Sequence, residues 1–519
     1  MKTRLLMLAA LLLFPVFTFS QGSYKQPPKE IMDVLNAPAI PATSISPTRD
    51  KIALLTPNRY PPIADLAQPM LRLAGTRVNP NTNGPHLQGY SVSLTLKNVS
   101  DGKETKVSLP AGAKVAGVQW SPDGKYIAMS NITANGIELW FVDVATARAR
   151  KVNNVLINGA FGGFGWEGST HVSAFTIPAG RGPAPAYTNL VPSEPNIQET
   201  SGRRGAIATV QDLLKTPNDE KLYEYYATSQ LAMIGVDGKV KNVGSPAIFD
   251  NAVVSPDGKY IYASRIVRPF SYLFPSSRFP KVAEIWDANG KLVQKLRDIP
   301  LIDALPSQGV PTGPRGYQWI PIEGSTLSWT EALDGGDPRN KATHRDKLMK
   351  LTAPFNGAPV EILKTEHRFQ GRSFGEKDGL MIYFDFNRDT QKRRIFMTDY
   401  RNPSTSTLIS DLNINDRYND IGQPVTRIQP NGVSLIRQNG DEIFMTGIGA
   451  SPQGDRPFFR RMNLKTMKTD EIWRAGTEEY ETFAGMMDDN GMNFLTRKES
   501  LLEPSNIFIR QVCPAGQIC

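Results

Sequence analysis

Cysteine is nearly absent from this 519-residue chain: Cys513 and Cys519 both lie in the last seven residues. The body of the protein therefore folds without disulfide staples or thiolate metal ligands, and an oxidising compartment would only permit those two to pair. Histidine is almost as scarce. His86, His171, His344 and His367 share no metal-ligand spacing, so no zinc centre and no other metal is expected. Glycine-rich phosphate loops and dinucleotide fingerprints are missing too, and no cofactor is expected. Acyl transfer needs a nucleophile on a sharp strand-to-helix turn, usually Gly-x-Ser-x-Gly, and that string does not occur. The nearest approach is 447–454, where Ser451 precedes Pro452 between two strands. It reads as a structural turn, and no catalytic residue is assigned. The net charge of +9 comes from Lys and Arg dispersed among Asp and Glu, which argues against a nucleic-acid partner.

Long apolar runs are confined to the start. Lys2 and Arg4 precede an apolar stretch at 5–19, and Thr18 and Ser20 are small residues suited to cleavage before Gln21. This is the pattern of a secretory signal peptide at 1–20. Interrupted by Pro15, the run is short of the roughly 20 residues a spanning helix needs. An exported chain, periplasmic or secreted and without a membrane span once processed, is expected.

What the sequence does contain is a repeating hairpin and enough apolar residues, 40%, for a large core. Ser121-Pro-Asp-Gly-Lys-Tyr and Ser255-Pro-Asp-Gly-Lys-Tyr are two copies, and Ser46-Pro-Thr-Arg-Asp-Lys is a degenerate third. Each follows a β-prone segment, turns tightly, and re-enters a strand with alternate apolar residues. After the first full copy, 139–143 and 150–152 complete four strands in about forty residues, the period of a β-propeller blade. Units fall near 43–109, 115–152, 157–243, 249–297, 315–363, 367–410 and 425–473, with further strand material at 480–511. The expected fold is all-β, a seven- or eight-bladed propeller over 43–511. A lead at 21–42 carries a short helix, expected to pack through Ile31, Val34 and Leu35, and an aberrant tail occupies 512–519. Pro/Gly-rich insertions at 57–85 and 177–218 should emerge on the propeller's faces, the second with a helix over 210–226 capped by Thr209.

Two segments carry candidate chemistry. Arg265, Arg268 and Arg278 lie among Phe270, Tyr272, Phe274 and Phe279 directly after a strand, a composition suited equally to clamping a carboxylate and to bracing a loop. Asp334-Gly-Gly-Asp337 places two carboxylates on a glycine-rich loop, where a turn explains them better than a hard cation.

Several stretches in chain order resemble the glutamyl endopeptidase branch of the prolyl oligopeptidase family. They are Leu71-Arg-Leu-Ala-Gly-Thr-Arg-Val-Asn-Pro80 with Thr82-Asn-Gly-Pro85, Val210-Gln-Asp-Leu-Leu214 with Tyr225-Tyr-Ala-Thr-Ser-Gln-Leu231, Arg268-Pro-Phe-Ser-Tyr272 with Arg278-Phe-Pro280, Glu331-Ala-Leu-Asp-Gly-Gly-Asp337, and Gly449-Ala-Ser-Pro-Gln-Gly454 with Pro457-Phe458. The likeness runs from about 24 to 510. It implies a propeller that gates access of peptide substrates to an α/β-hydrolase domain bearing a Ser, Asp and His triad. The family continues past 506–510, whereas this chain stops at Cys519, so the hydrolase domain is expected to be absent and no triad residue is carried over. Whether the chain serves a serine-type endopeptidase cleaving after Glu or is a non-catalytic propeller binding peptides or proteins stays open at this level. In either case Arg265, Arg268 and Arg278 are the substrate-binding candidates.

Overall fold

A computed structural model describes residues 26–186 and 209–513. Residues 1–25, on which the expected signal peptide falls, the stretch 187–208 and the last six residues lie outside the described residues. The chain divides into two compact units, one ending at Ala39 and one beginning at Ile40. In the first, α1 (Lys29–Asn36) forms where the spacing of Ile31, Val34 and Leu35 predicts a helix, but none of its residues is buried. Ile31 and Val34 remain 51% and 66% exposed, so the packing role expected of that face is not seen.

The second unit is all-β, apart from short helices. Its described strands form eight antiparallel meanders in chain order, grouped into larger sheets where neighbours join. The first (Ala42–Ile45, Lys51–Pro57, Ser91–Asn98, Glu104–Lys106) meets the second (Val115–Trp120, Tyr126–Thr133, Gly136–Asp143, Arg148–Leu156) through the pair Ser91 and Val115. The third (Phe164–Glu167, His171–Thr176, Thr228–Gly235) shares the long strand Val240–Val254 with the fourth (Tyr260–Ile266, Lys281–Asp287, Leu292–Ile299). The fifth starts at Arg315–Trp319, the sixth at Arg368–Phe374 and the seventh centres on Glu442–Gly447. The eighth has three strands, Tyr480–Met486, Asn493–Glu499 and Asn506–Gln511. Val512, assigned to the tail from sequence, continues this meander: its N–H donates to the Met492 carbonyl at 2.8 Å and its side chain packs on the Phe444, Phe459 and Phe494 core.

The hairpin repeats form for a local reason. Ser121 and Ser255 each donate from Oγ to the aspartate two residues on at 2.7 Å and accept from the N–H five residues on at 3.0 Å. Gly124 and Gly258 take φ of +70° and +72°, the left-handed conformation that suits glycine. The degenerate copy makes the same turn around Ser46 with Arg49 at φ +64° in the glycine position. Between meanders, apolar faces pack in series; Phe459, for example, lies among Phe444, Phe483 and Phe494 with ring centroids 4.5–5.7 Å away.

The loops joining second to third strands carry the insertions. The first meander's insertion holds α2 (Ile63–Leu66) and a small sheet of Leu71–Leu73, Thr76–Asn79 and Gly84–Pro85. The third meander's insertion holds α3 (Pro217–Ala227), which starts seven residues later than the sequence spacing suggests. Two features stop the helix from beginning at 210. Asp212 has φ +57°, and Pro217 disfavours helical geometry in the residue before it. Thr216, not Thr209, is the cap: its side chain accepts from the Asp219 N–H at 3.1 Å while Asp219 accepts from the Thr216 N–H at 2.9 Å. Thr216→Ala is expected to lower the opening free energy of α3 by about 1 kcal/mol. Faster amide exchange confined to 217–227 is the readout, and unchanged exchange there would show that the cap is dispensable.

Candidate binding face and cavity

Three of the stretches that share motifs with the resembled family, at 71–85, 210–231 and 268–280, assemble into one layer. Leu71, Leu73 and Val78 from the first insertion, Leu214, Leu222 and Tyr223 from the third meander's, and Phe279 from the fourth's form a common buried core. Tyr223 stands at its centre, edge-on to Phe161, Phe270 and Phe279 at 5.1–5.7 Å. Burial pushes its phenol well above the usual range. Backbone bonds tie the insertions together: the Gly75 N–H donates to Asp212 O, and the Ser276 N–H to Ala74 O, both at 2.8 Å. A Cβ on Gly75 would lie 2.7 Å from Pro275 Cβ, so this crossing requires glycine.

The three candidate arginines reach this layer by different routes and share no partner. Arg265 forms a two-pronged pair with Glu284, Nε to Oε2 at 3.0 Å and Nη2 to Oε1 at 2.8 Å, and Glu284 also accepts from Trp286 Nε1. Arg268 is held by Glu224 at 2.7 Å and by Glu220, both on α3, and lies over the Phe270 ring. These two hydrogen-bonded carboxylates raise its pKa above the usual guanidinium value. Arg278 lies over Phe274 at 5.2 Å and has no carboxylate partner among the described residues. Composition therefore picked out three cations, of which two are already neutralised by glutamates. Sequence reasoning missed a fourth, Arg181. It stacks on Tyr225 at 4.0 Å and donates to Asn83 Oδ1 at 2.6 Å, also without a carboxylate partner among the described residues. Its only signal in the sequence was its place between Gly180 and Gly182 inside the long insertion.

A cavity of about 1150 Å³ opens beside this layer, between the first insertion and the second meander, lined by Asp65, Gln68, Asn81, Tyr90, Lys114 and Trp140 among others. Asp65 anchors one wall, accepting from Lys114 Nζ at 2.6 Å and from the Tyr90 hydroxyl at 2.9 Å. The Lys114 bond holds its carboxyl below the ordinary value, while burial and Asp65 push the Tyr90 phenol up. On the facing wall burial works against ionising Glu138, yet bonds from Lys151, Trp140 and Asn131 hold its pKa below the usual one. Tyr60, Ile63, Leu66 and Leu87, from the same insertion, are exposed. A polar-and-apolar cavity of this size suits recognition of an extended ligand. Its described walls hold no histidine or cysteine.

Other sequence candidates resolve as structural. Ser451 sits in a tight hairpin, donating to Gly454 O at 2.8 Å and accepting from the Gln453 N–H. Asp334 and Asp337 serve different arginines: Asp334 is buried against Arg345 and Arg368, and Asp337 pairs with Arg339 at the surface. Among the described residues no helix is long and apolar enough to cross a membrane.

Comparison with known proteins places these features in context. No protein-family model matches the chain. A protein of Oryza sativa subsp. japonica named "Probable glutamyl endopeptidase, chloroplastic" is 33% identical over 94% of this chain and 55% of its own length. The Arabidopsis thaliana protein of the same name is 34% identical over 92% of this chain and 53% of its own. The chain thus spans about half the length of the curated relatives it matches. Among solved structures, a prolyl endopeptidase aligns with 86% of this chain and 57% of its own, at 13% identity and a TM-score of 0.40.

Proposed function

Since the chain belongs to the glutamyl endopeptidase branch of the prolyl oligopeptidase family, we propose that it is the substrate-gating β-propeller of an exported peptidase that cleaves peptides after Glu. In this reading the eight meanders are eight blades, the last one open. The serine nucleophile and its base lie on an α/β-hydrolase domain that docks over the insertion layer. The observation that carries the proposal is the colinear identity over nearly the whole of this chain and about half of each relative. Two features support it. The motifs of the insertions build one layer beside a large cavity, and apolar side chains lining that cavity, Leu66 at 50% and Leu87 at 55% exposure, lie where a covering domain would bury them. Arg278 and Arg181, with no carboxylate partner among the described residues, would meet an acidic substrate at the layer, and Arg265 and Arg268 would shape it through their glutamates.

The test is a gain of function. The chain by itself should leave a peptide containing a single Glu intact. Joined to the part of the rice relative that lies beyond the matched half, it should cleave that peptide on the carboxyl side of Glu, and a serine-directed inhibitor should stop the reaction. Inhibitor-sensitive cleavage by the chain alone, or a correctly folded chimera that never cleaves, would overturn the proposal. In an active chimera, Arg278→Ala should raise KM for the Glu substrate about tenfold with kcat little changed. An equal change for a Gln substrate would show that the residue only supports the loop.

A further inference from the structure

At the opposite end of the meanders from the insertions, a separate cavity of about 570 Å³ is lined by Arg49, Arg427, Arg437, Trp120 and Trp166, among others. Three arginines line it and no carboxylate does. Arg427 is fully engaged outside, with Glu376 at 2.6 and 2.7 Å and Asp489 at 2.7 Å. Arg437 uses Nη2 on Asp488 O and Asp489, leaving a buried Nε with no partner. Arg49 has no carboxylate partner among the described residues; its guanidinium makes one long bond, 3.4 Å, to the Ser46 carbonyl.

The position of Arg49 is informative. It replaces the glycine of the sister turns at a left-handed φ of +64°, a conformation unfavourable for a residue with a Cβ. The strained residue extends its side chain to Gly485 of the eighth meander, where a Cβ would stand 2.8 Å from Arg49 Cζ. Burial, and then the charge of Arg437, lower the proton affinity of this guanidinium. Two cations near enough to repel, one strained and unpaired, thus border a space free of acids. Both indoles commit Nε1 to other groups, Trp120 to Ser44 Oγ and Trp166 to Gln119 O, at 3.1 Å each, which leaves carbon surface to the cavity. The hairpin of Thr426–Ile428 and Ser434–Ile436 forms the remaining wall, with Gly432 against the Trp166 carbonyl.

We infer that this cavity is a carboxylate-binding site, in which Arg49 and Arg437 grip the acid group of a peptide and the tryptophans pack on its carbon chain. A carboxylate there supplies the missing counter-charge and accepts from the idle guanidinium N–H groups. The site is distinct from the insertion layer, and its assignment does not depend on the hydrolase reading.

Calorimetry on the full chain with N-acetyl-glutamate amide, N-acetyl-glutamine amide, trialanine and inorganic phosphate tests the assignment. Binding of the glutamate amide but not the glutamine amide is expected for a side-chain carboxylate. Binding of trialanine alone would assign a terminal carboxylate instead. Arg49→Gly restores the sister-turn sequence, so it should fold and melt at or above the parent temperature while weakening binding about tenfold. Arg49→Lys should keep part of the affinity, and Arg339→Ala, a surface cation that does not line this cavity, should keep all of it. Equal binding by parent and Arg49→Gly, binding of phosphate alone, or no binding of any probe would overturn the inference. None of these outcomes bears on whether the chimera cleaves peptides.

Discussion

Asp346→Ala is expected to lower the unfolding free energy by about 3–5 kcal/mol, the range for removing one partner of a buried ion network. Asp346 has no exposed surface. It accepts from Arg315 Nη2 at 2.7 Å, Arg368 Nη1 at 2.8 Å and the Phe369 N–H at 2.8 Å. Arg368 also reaches the equally buried Asp334, which takes Arg345 as well. Four of these groups, Arg315, Asp334, Arg345 and Asp346, come from one meander and its loop, and Arg368 and Phe369 begin the next, so the network stitches the fifth to the sixth. Deleting Asp346 strands the desolvated Arg315 guanidinium and the Phe369 N–H, and leaves Arg345 and Arg368 to share Asp334 alone. Urea unfolding followed by tryptophan fluorescence gives the measurement. Asp337→Ala is the control, because Asp337 meets Arg339 at the surface and should leave the midpoint almost unmoved. A loss below about 1 kcal/mol for Asp346→Ala at unchanged m-value would show that the network is not the seam between these meanders.

The second large effect is a pH dependence. Glu167, at the end of the strand Phe164–Glu167, is partly buried beside the hairpin that carries Gly432. Burial raises its pKa from 4.5 to about 7, against a bond accepted from Ser173 Oγ, and no Lys or Arg pairs with it among the described residues. Between those two values the folded chain keeps a proton that the unfolded chain has released. Stability from this group is therefore fully present below about 4.5 and is lost as pH rises to about 7, a fall of about 3 kcal/mol. His367, whose pKa burial and then Arg394 lower from 6.5, acts in the opposite sense within the same range. The readout is accordingly the difference between the parent and Glu167→Gln, which keeps the acceptor for Ser173. Relative to the parent, the variant should gain stability on going from about pH 5 to about pH 7.5. A variant with the parental pH slope would remove Glu167 from consideration.

Most strand positions were readable from local pattern because the forces that set them act over a few residues. The Ser-Pro-Asp-Gly turns close through side chain-to-backbone bonds spanning two to five positions. The unit expected at 115–152 appears as a meander ending at Leu156. Where local signals competed, the reading slipped: helical spacing pointed to 210–226, and Pro217 with the Thr216 cap decided the start of α3.

The sequence alone determined that this is a β protein of repeated hairpins with no nucleophile elbow, and it marked Arg265, Arg268 and Arg278 as unusual. Only the tertiary structure decided what those arginines do, pairing Arg265 with Glu284 and Arg268 with Glu220 and Glu224, and leaving Arg278 on Phe274. It also brought Arg181 to Asn83 and Arg49 to Gly485, contacts that no nearby residue announces. Turn chemistry and alternation are short-range and leave a local imprint. The ionic state and function of a charged side chain depend on which distant segments pack beside it, and that is settled by how the meanders and their insertions pack together.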